Sequence, residues 1–355
     1  MAASREHTLE LIPRHRFDVI DVNVLLREQH GDVLHGYARA LYASYHTTAG
    51  YFDEAMCRTL GFTPDAVRGH VEGYRRMYPE GAGYRHDRLE LRTELTDEQK
   101  ATEPLNGDAH LSFIGAGLTN CVTYATDTAG PALFVDLDGV GVTGPRRRKT
   151  SVVGFDREVV AARLRLPAPA SAHDVSSFNL RDPRLGFIEE LEAHARRLGI
   201  AKGRVDIRLA DDDPHAALTV NEFETLLMQH DLAEVIRNPF WFAMQKGWHV
   251  LRDPRTVREK AKDYAKYDLL LVLNGALDKF GLRGTPVEHA LSKLVAGAAR
   301  RRLCMKRAVS LPISDHDRDG VGEIVQGTYQ SPILVQWAAP RRAERVLHVS
   351  LVAFE

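Results

Sequence analysis

The sequence predicts an α+β protein built as two domains. Three observations carry this: the chain length, helices and strands that mix without a βαβ rhythm, and a Pro/Ala-rich linker near the middle. At 355 residues the chain exceeds the usual single-domain length, and either half is long enough to bury a core. Hydrophobic residues at 44% and charged residues at 27% are ordinary for a globular chain and argue against extensive disorder.

Taken in order, the first half carries short strand-like runs, ALYASYH and PALFVDLDGV, and closes on the basic-then-apolar GPRRRKTSVVGFD. The segment Arg165–Asp174, RLPAPASAHD, reads as a semi-rigid linker because Pro167 and Pro169 among alanines favour an extended chain. This divides a domain over 1–165 from one over 175–355, with 166–174 between them. Beyond it, Asp182-Pro183 opens a helix with an N-cap and a first-turn proline, and Gly199 stops it. A longer helical insertion is expected over Asp253–Gly281, its stretch Leu269–Leu273 apolar all round and hence buried. EIVQGTYQSPILVQW and RVLHVSLVAF read as strands, with the charged PRRAER turn between them. The absence of a βαβ rhythm favours α+β over a doubly wound sheet.

The formal net charge is -1 and the isoelectric point about 7.0, so electrostatic capture of nucleic acid or an anionic membrane is not expected. A small-molecule or peptide substrate fits better. Cys57, Cys121 and Cys304 are far apart and form no CxxC pair, which implies neither a disulfide framework nor a cysteine zinc site. The N-terminal MAASREHTLELIPRHRF has no apolar signal core, and no run approaches the roughly 20 apolar residues of a membrane span. The expectation is a soluble, cytoplasmic protein in a reducing compartment.

Four pieces of the first half occur in a characteristic order: HTTAG (His46–Gly50), YRHD (Tyr84–Asp87), NGDAHL (Asn106–Leu111) and GPRRRKTSVV (Gly144–Val153). In that order they resemble the YjbQ family (UPF0047), and the match spans most of residues 8–157. The resemblance implies small α+β modules, trimeric association, and an activity of the secondary thiamine-phosphate synthase kind. The second half repeats the pattern. DPHAALTVNEFETLLMQHDL (Asp213–Leu232) sets Asn221-Glu222 on the family's Asn-Glu pair, VEHALSKLVAG (Val287–Gly297) resembles the histidine helix, and GTYQSPILVQW (Gly327–Trp337) resembles its GTWQ strand. Tyr267 stands where the second histidine belongs and Asp213 where the first does. The chain therefore reads as a divergent tandem duplication: two modules, each a mainly antiparallel sheet or sandwich with packed helices, arranged as a pseudo-dimer.

The resemblance points to His46, His86 and His110 as catalytic or metal-ligating residues, with Glu54 or Glu222 as the acid/base. Neutral imidazoles with nearby carboxylates are the ingredients of a divalent metal site, and without a metal they can serve as general acid and base near neutral pH. Asp87 beside His86 and Asp108 near His110 can orient the imidazoles. Asn221, Asp87, Asp108, His289 and Arg146 complete the candidate substrate-binding set; a guanidinium such as Arg146 or Arg341 holds phosphate or carboxylate in bidentate fashion. One zinc or magnesium ion is the expected cofactor, and no nucleotide cofactor is indicated.

Each residue also has a structural interpretation. His46 alone reads as a hydrogen-bonded core histidine at a strand end, and it gains a site role only in company with His86 and His110. Asn221-Glu222 fits a strand end running into a helix cap equally well. His289 lacks partner histidines in its own half, and Tyr267 fits core packing. DHDRDGVGE (Asp315–Glu323) begins like a calcium loop, yet Gln326 stands where the bidentate glutamate belongs, so it reads as a turn. The functional expectation is an enzyme that tailors a small metabolite or modified peptide in a biosynthetic pathway. The alternatives are a thiamine-phosphate synthase-like transferase and a non-catalytic binding protein with relic histidines.

Overall fold

The computed structural model describes residues 4–92, 95–126, 130–142, 144–171, 175–223, 231–237, 242, 244–246, 303–315, 320–337 and 345–355. The predicted insertion over 253–281, Tyr267, His289 and Arg341 lie outside these residues.

The first half runs β1 (Arg5–Leu11), β2 (Asp18–Asp21), α1 (Val22–His30), β3 (Arg39–Ser44), β4 (Ala49–Gly50), α2 (Glu54–Thr59), α3 (Pro64–Met77), α4 (Asp97–Thr102), α5 (Gly107–Ala116), β5 (Cys121–Ala125), β6 (Leu133–Asp136), β7 (Val140–Gly141), β8 (Gly144–Pro145) and β9 (Arg148–Phe155). The second runs β10 (Glu158–Ala168), β11 (Ser176–Asn179), α6 (Phe187–Arg197), β12 (Gly203–Leu209), β13 (Ala216–Asn221), α7 (Leu232–Arg237), β14 (Ala308–Ser314), β15 (Glu323–Ile324), β16 (Ser331–Gln336) and β17 (Arg345–Phe354). The molecule is mixed α/β with mainly antiparallel sheets.

Sheet order reveals the internal correspondence. The first half has one sheet ordered β1-β9-β3-β5 and another ordered β2-β6-β4; the second has β10-β17-β12-β14-β15 and β11-β16-β13. Replacing each strand of these two first-half sheets by its counterpart in chain order reproduces the second-half arrangement, with β15 added at one edge and the two-stranded β7-β8 sheet left over. An isolated bridge recurs in register, Tyr51 to Thr119 in one half and Leu218 to Lys306 in the other.

The halves do not separate at the expected linker. Leu166–Ala168 are the last residues of β10, which pairs with β17 across Pro167 and Val346. Proline is tolerated here because β10 lies at a sheet edge and leaves its outer N–H positions unpaired. α6 also differs in detail from expectation. Asp182 caps only a 3-10 turn over Pro183–Leu185, and Gly186, at φ 63°, resets the chain before Phe187 starts the helix.

Each half has its own apolar core, but the first-half core also takes in Leu232, Val235, Ile236, Phe242, Ile333 and Val335 from the second half. A third cluster joins Leu41, Ala43, Val153 and Phe155 to Val352 and Phe354, where the rings of Phe155 and Phe354 stack with centroids 3.9 Å apart. The second half also braces the β3–β4 turn. Gln330, in the GTYQ turn before β16, donates to Ser44 O at 2.9 Å and His46 O at 3.0 Å. Gly327 allows this approach, since a Cβ there would stand 2.0 Å from Tyr45 O.

A candidate metal centre between the two halves

α5 is the frame of the site. All ten of its residues are buried, and Gly117 closes it in the left-handed conformation at φ 78°. Gly107 lets the helix start press against the YRHD turn: a Cβ would meet Tyr84 Cβ at 2.9 Å and His86 Cβ at 3.1 Å. That closeness brings Gly107 N within 2.8 Å of Asp87 Oδ1, which also faces His86 Nδ1 at 3.1 Å. From the second half, Asp231 accepts the His86 backbone N–H at 2.9 Å. The turn is thereby fixed, and the His86 and His110 rings lie 4.8 Å apart between centroids.

The second half closes the site where β13 ends. His110 Nδ1 lies 2.7 Å from Asn221 Oδ1, and His110 Nε2 lies 3.3 Å from Glu222 Oε2. Ligating atoms of His86, His110 and Glu222 all fall within 4.8 Å of one another, and among the described residues no other trio of His, Cys, Asp or Glu does so. Arg92, 1% exposed, holds the other carboxylate oxygen of Glu222 at 3.4 Å and pairs with Glu103 at 3.1 Å.

The hydrogen-bond network assigns the protons. Asn221 Nδ2 faces Thr47 O at 2.9 Å, which can only accept, and Asn221 Oδ1 faces Glu222 N at 2.9 Å, which can only donate. The amide orientation is therefore fixed, and His110 must donate from Nδ1. Burial, then the His86 imidazole, Arg92 and Arg146, hold His110 well below the usual imidazole range, so it is neutral near pH 7. Its Nε2 then carries a lone pair that faces a carboxylate oxygen. Asp87 likewise accepts from His86 Nδ1–H, the arrangement of an imidazole oriented to offer its other nitrogen to a cation. Two imidazole nitrogens and one carboxylate oxygen form a set that suits zinc with an open coordination position.

Several expected site residues stand elsewhere. His46 is not a ligand: its Nε2 accepts the Lys149 backbone N–H at 2.7 Å, which engages the ring's lone pair. Burial, then Arg148 and Arg146, push its pKa down to about 3. The cause is strand register. β3 pairs with β9 so that Ser44 faces Thr150, which sets Lys149 beside the turn. Glu54 begins α2 and contacts Ala125 N at 3.4 Å and Arg58 at 3.8 Å, so it is no acid/base for this centre. Asp108 does not orient His110; it pairs with Arg16 at 2.7 Å, and burial raises its pKa to about 6. Arg146 engages Asp138 at 3.1 Å, so part of its charge is already compensated and it is a weaker anion anchor than expected. Of the calcium-like stretch Asp315–Glu323, residues 316–319 lie outside the described ones; Gly320 N–H donates to Asp315 Oδ2 at 3.1 Å.

Sequence reasoning missed Arg92, Asp231, Asn106 and Asp138. Arg92 lies in an undistinguished charged stretch. Asn106 was in view, four residues before His110 in NGDAHL, and Asp138 lies in the DLDG that ends β6.

No family profile matches the chain, and no curated protein matches it. Solved structures do. A YbjQ-like protein of unknown function from Sulfolobus solfataricus P2 is 18% identical, with 56% of this chain and 99% of that chain covered at a TM-score of 0.30. A hypothetical protein from Aeropyrum pernix K1 is 17% identical, covering 54% and 98% at 0.29. An uncharacterized conserved protein of the yjbq/upf0047 family from Clostridium acetobutylicum is 16% identical, covering 54% and 98% at 0.24. The chain is thus similar to YjbQ-like structures, each matched over nearly its whole length by about half of this chain.

Proposed function

We propose that the protein is a metal-dependent enzyme whose centre is shared by two modules of a pseudo-dimer. His86 and His110 come from the first module and Glu222 from the second; together they would hold one zinc ion. The observation that carries this is the approach of His110 Nε2 to Glu222 Oε2 at 3.3 Å with the ring proton committed to Asn221. Two electron-rich atoms at that distance repel unless a cation or a proton lies between them. Burial disfavours the proton on His110. A bound zinc would act as a Lewis acid on a carbonyl or phosphoryl oxygen and would activate water near neutral pH.

The chain's own groups do the rest. Asn221 and Asp87 hold the two imidazoles in the ligating tautomer. Arg92 keeps one Glu222 oxygen occupied, so the other faces His110. The buried setting excludes bulk water and strengthens each of these interactions. The best-supported activity is hydrolysis or group transfer on a small metabolite or modified peptide, with Glu222 holding the ion through Oε2.

The test is reconstitution. Protein stripped with chelator and dialysed against zinc should retain close to one ion per chain, and His86→Ala, His110→Ala and Glu222→Gln should each lose it. Wild type that retains none while its turnover survives would show a metal-free acid–base pair instead. A folded protein with neither metal nor turnover, unchanged by all three substitutions, would be a binding protein with relic histidines.

A further inference from the structure

A cavity of about 670 Å³ opens between α1 and the loops that follow α1 and β5, and it shares no lining residue with the proposed metal centre. Its volume is that of a small-molecule site. The walls are preformed. Val22 N–H donates to Ala132 O at 2.9 Å, which ties the start of α1 beside Pro131. Beyond α1, Val33 N–H donates to Gly31 O at 2.9 Å, His35 N–H to Asp32 O at 3.1 Å and Tyr37 N–H to Leu34 O at 3.2 Å.

Two half-buried side chains meet on this wall. Asp21 Oδ1 caps α1, accepting from the backbone N–H of Asn23 at 2.9 Å and of Val24 at 3.4 Å, so the carboxylate stands against Asn23 itself. Asn23 Oδ1 in turn accepts from the hydroxyl of Tyr42 at 2.7 Å. That phenol is 1% exposed and has no other acceptor among the described residues, which fixes the orientation of the amide. Each side chain thus spends one polar atom on the fold. The other atoms, Asp21 Oδ2 and Asn23 Nδ2, have no partner among the described residues, and neither is among the buried unsatisfied atoms, so solvent reaches both. An acceptor and a donor stand side by side on the cavity wall.

We propose that this cavity is a second binding site of the chain and takes a neutral polyhydroxylated ligand, a sugar. A hydroxyl group both donates and accepts, so neighbouring hydroxyls can give a proton to Asp21 Oδ2 and take one from Asn23 Nδ2. An ammonium brings no acceptor for Asn23 Nδ2, and a carboxylate or phosphate sets its charge against Asp21. The other charges do not select an ion either, because Asp21 and Asp32 share the lining with Arg27 and His35. A metal is not indicated: among the described residues the one trio of potential ligands within reach of one another is His86, His110 and Glu222. Val33 and Pro131 add apolar surface for the C–H face of a sugar ring.

The experiment is saturation-transfer NMR on the full chain with methyl β-D-glucopyranoside, methyl β-D-galactopyranoside and maltose as sugar probes, and cyclohexylamine and cyclohexanecarboxylate as charged ones. At least one sugar should bind saturably, with an affinity that does not change when sodium chloride is raised, since a neutral ligand has no ion pair to screen. Asp21→Ser keeps a helix cap and withdraws the outward oxygen. It should weaken the sugar about tenfold or more, the loss of a hydrogen bond to a charged group. Binding of no sugar, binding of a charged probe alone, an affinity that falls with salt, or an affinity unchanged in folded Asp21→Ser each overturns the assignment. Zinc-loaded and chelator-stripped protein should bind the sugar alike, so this site and the metal centre fail separately.

Discussion

Asn221 makes the proton assignment testable. Replacing it with leucine keeps the size but removes the acceptor for His110 Nδ1–H and Glu222 N–H and the donor to Thr47 O. Asn221 is 0% exposed, so three groups lose their partner, the fully buried His110 Nδ1–H at about 1–3 kcal/mol and the two partly buried ones at less, partly offset by apolar burial of the leucine. A net destabilisation of about 2–3 kcal/mol is expected in urea unfolding. Without its anchor the His110 ring can adopt the other tautomer or turn, and loss of such an orienting partner lowers metal affinity about 10- to 100-fold, or about 1.4–2.7 kcal/mol. Asn221→Asp keeps an acceptor for Nδ1–H and makes the ring a better ligand, while it sets a carboxylate against Thr47 O. It should therefore lose stability yet bind zinc within about tenfold of wild type. The assay is competition with a chromophoric chelator on all three proteins. Asn221→Leu that is folded and binds zinc as wild type does would refute the assigned role of Asn221.

Further outcomes follow from the same geometry. Glu222→Gln should abolish the zinc-dependent rise in melting temperature while the metal-free protein stays within about 1 kcal/mol of wild type, because Arg92 keeps Glu103 and a glutamine N–H can donate to His110 Nε2; equal zinc stabilisation in the variant would contradict this. His46→Asn isolates a pH effect. With a folded pKa of about 3 against an ordinary value near 6.5, the unfolded chain binds the extra proton, so the His46 contribution is complete above about pH 6.5 and is lost as pH falls. Wild type should lose stability relative to the variant by about 1.4 kcal/mol per pH unit between about pH 6 and 4, and parallel pH profiles would contradict it. Gly327→Ala should cost about 3 kcal/mol in urea unfolding, the upper end for overpacking, because the new methyl meets a backbone carbonyl.

The order of HTTAG, YRHD and NGDAHL was legible in the sequence, and two of its three histidines do come together. His86 and His110 meet because a glycine start lets a buried helix press against a turn, and both features lie in the quoted motifs. His46 did not follow, because its fate depends on the pairing of β3 with β9, a register no single motif displays. Glu222 and Asn221 were visible as an Asn-Glu pair, but their partner lies 111 residues earlier, so only the packing of one half on the other could show which histidine they serve. Arg92 carried no signal, since a buried arginine differs from a surface one only by its surroundings. The duplication was legible as repeated motifs, and the matching strand orders express it in three dimensions. The boundary was misplaced because prolines that suggest a linker also suit an edge strand.

X-ray absorption at the zinc edge of the reconstituted protein tests the central claim most directly. The account predicts one zinc per chain with only nitrogen and oxygen neighbours at about 2.0–2.2 Å, including two imidazoles, and no retained zinc in Glu222→Gln treated in the same way. Sulfur in the first shell, three imidazoles, or a first shell unaltered by Glu222→Gln would contradict it.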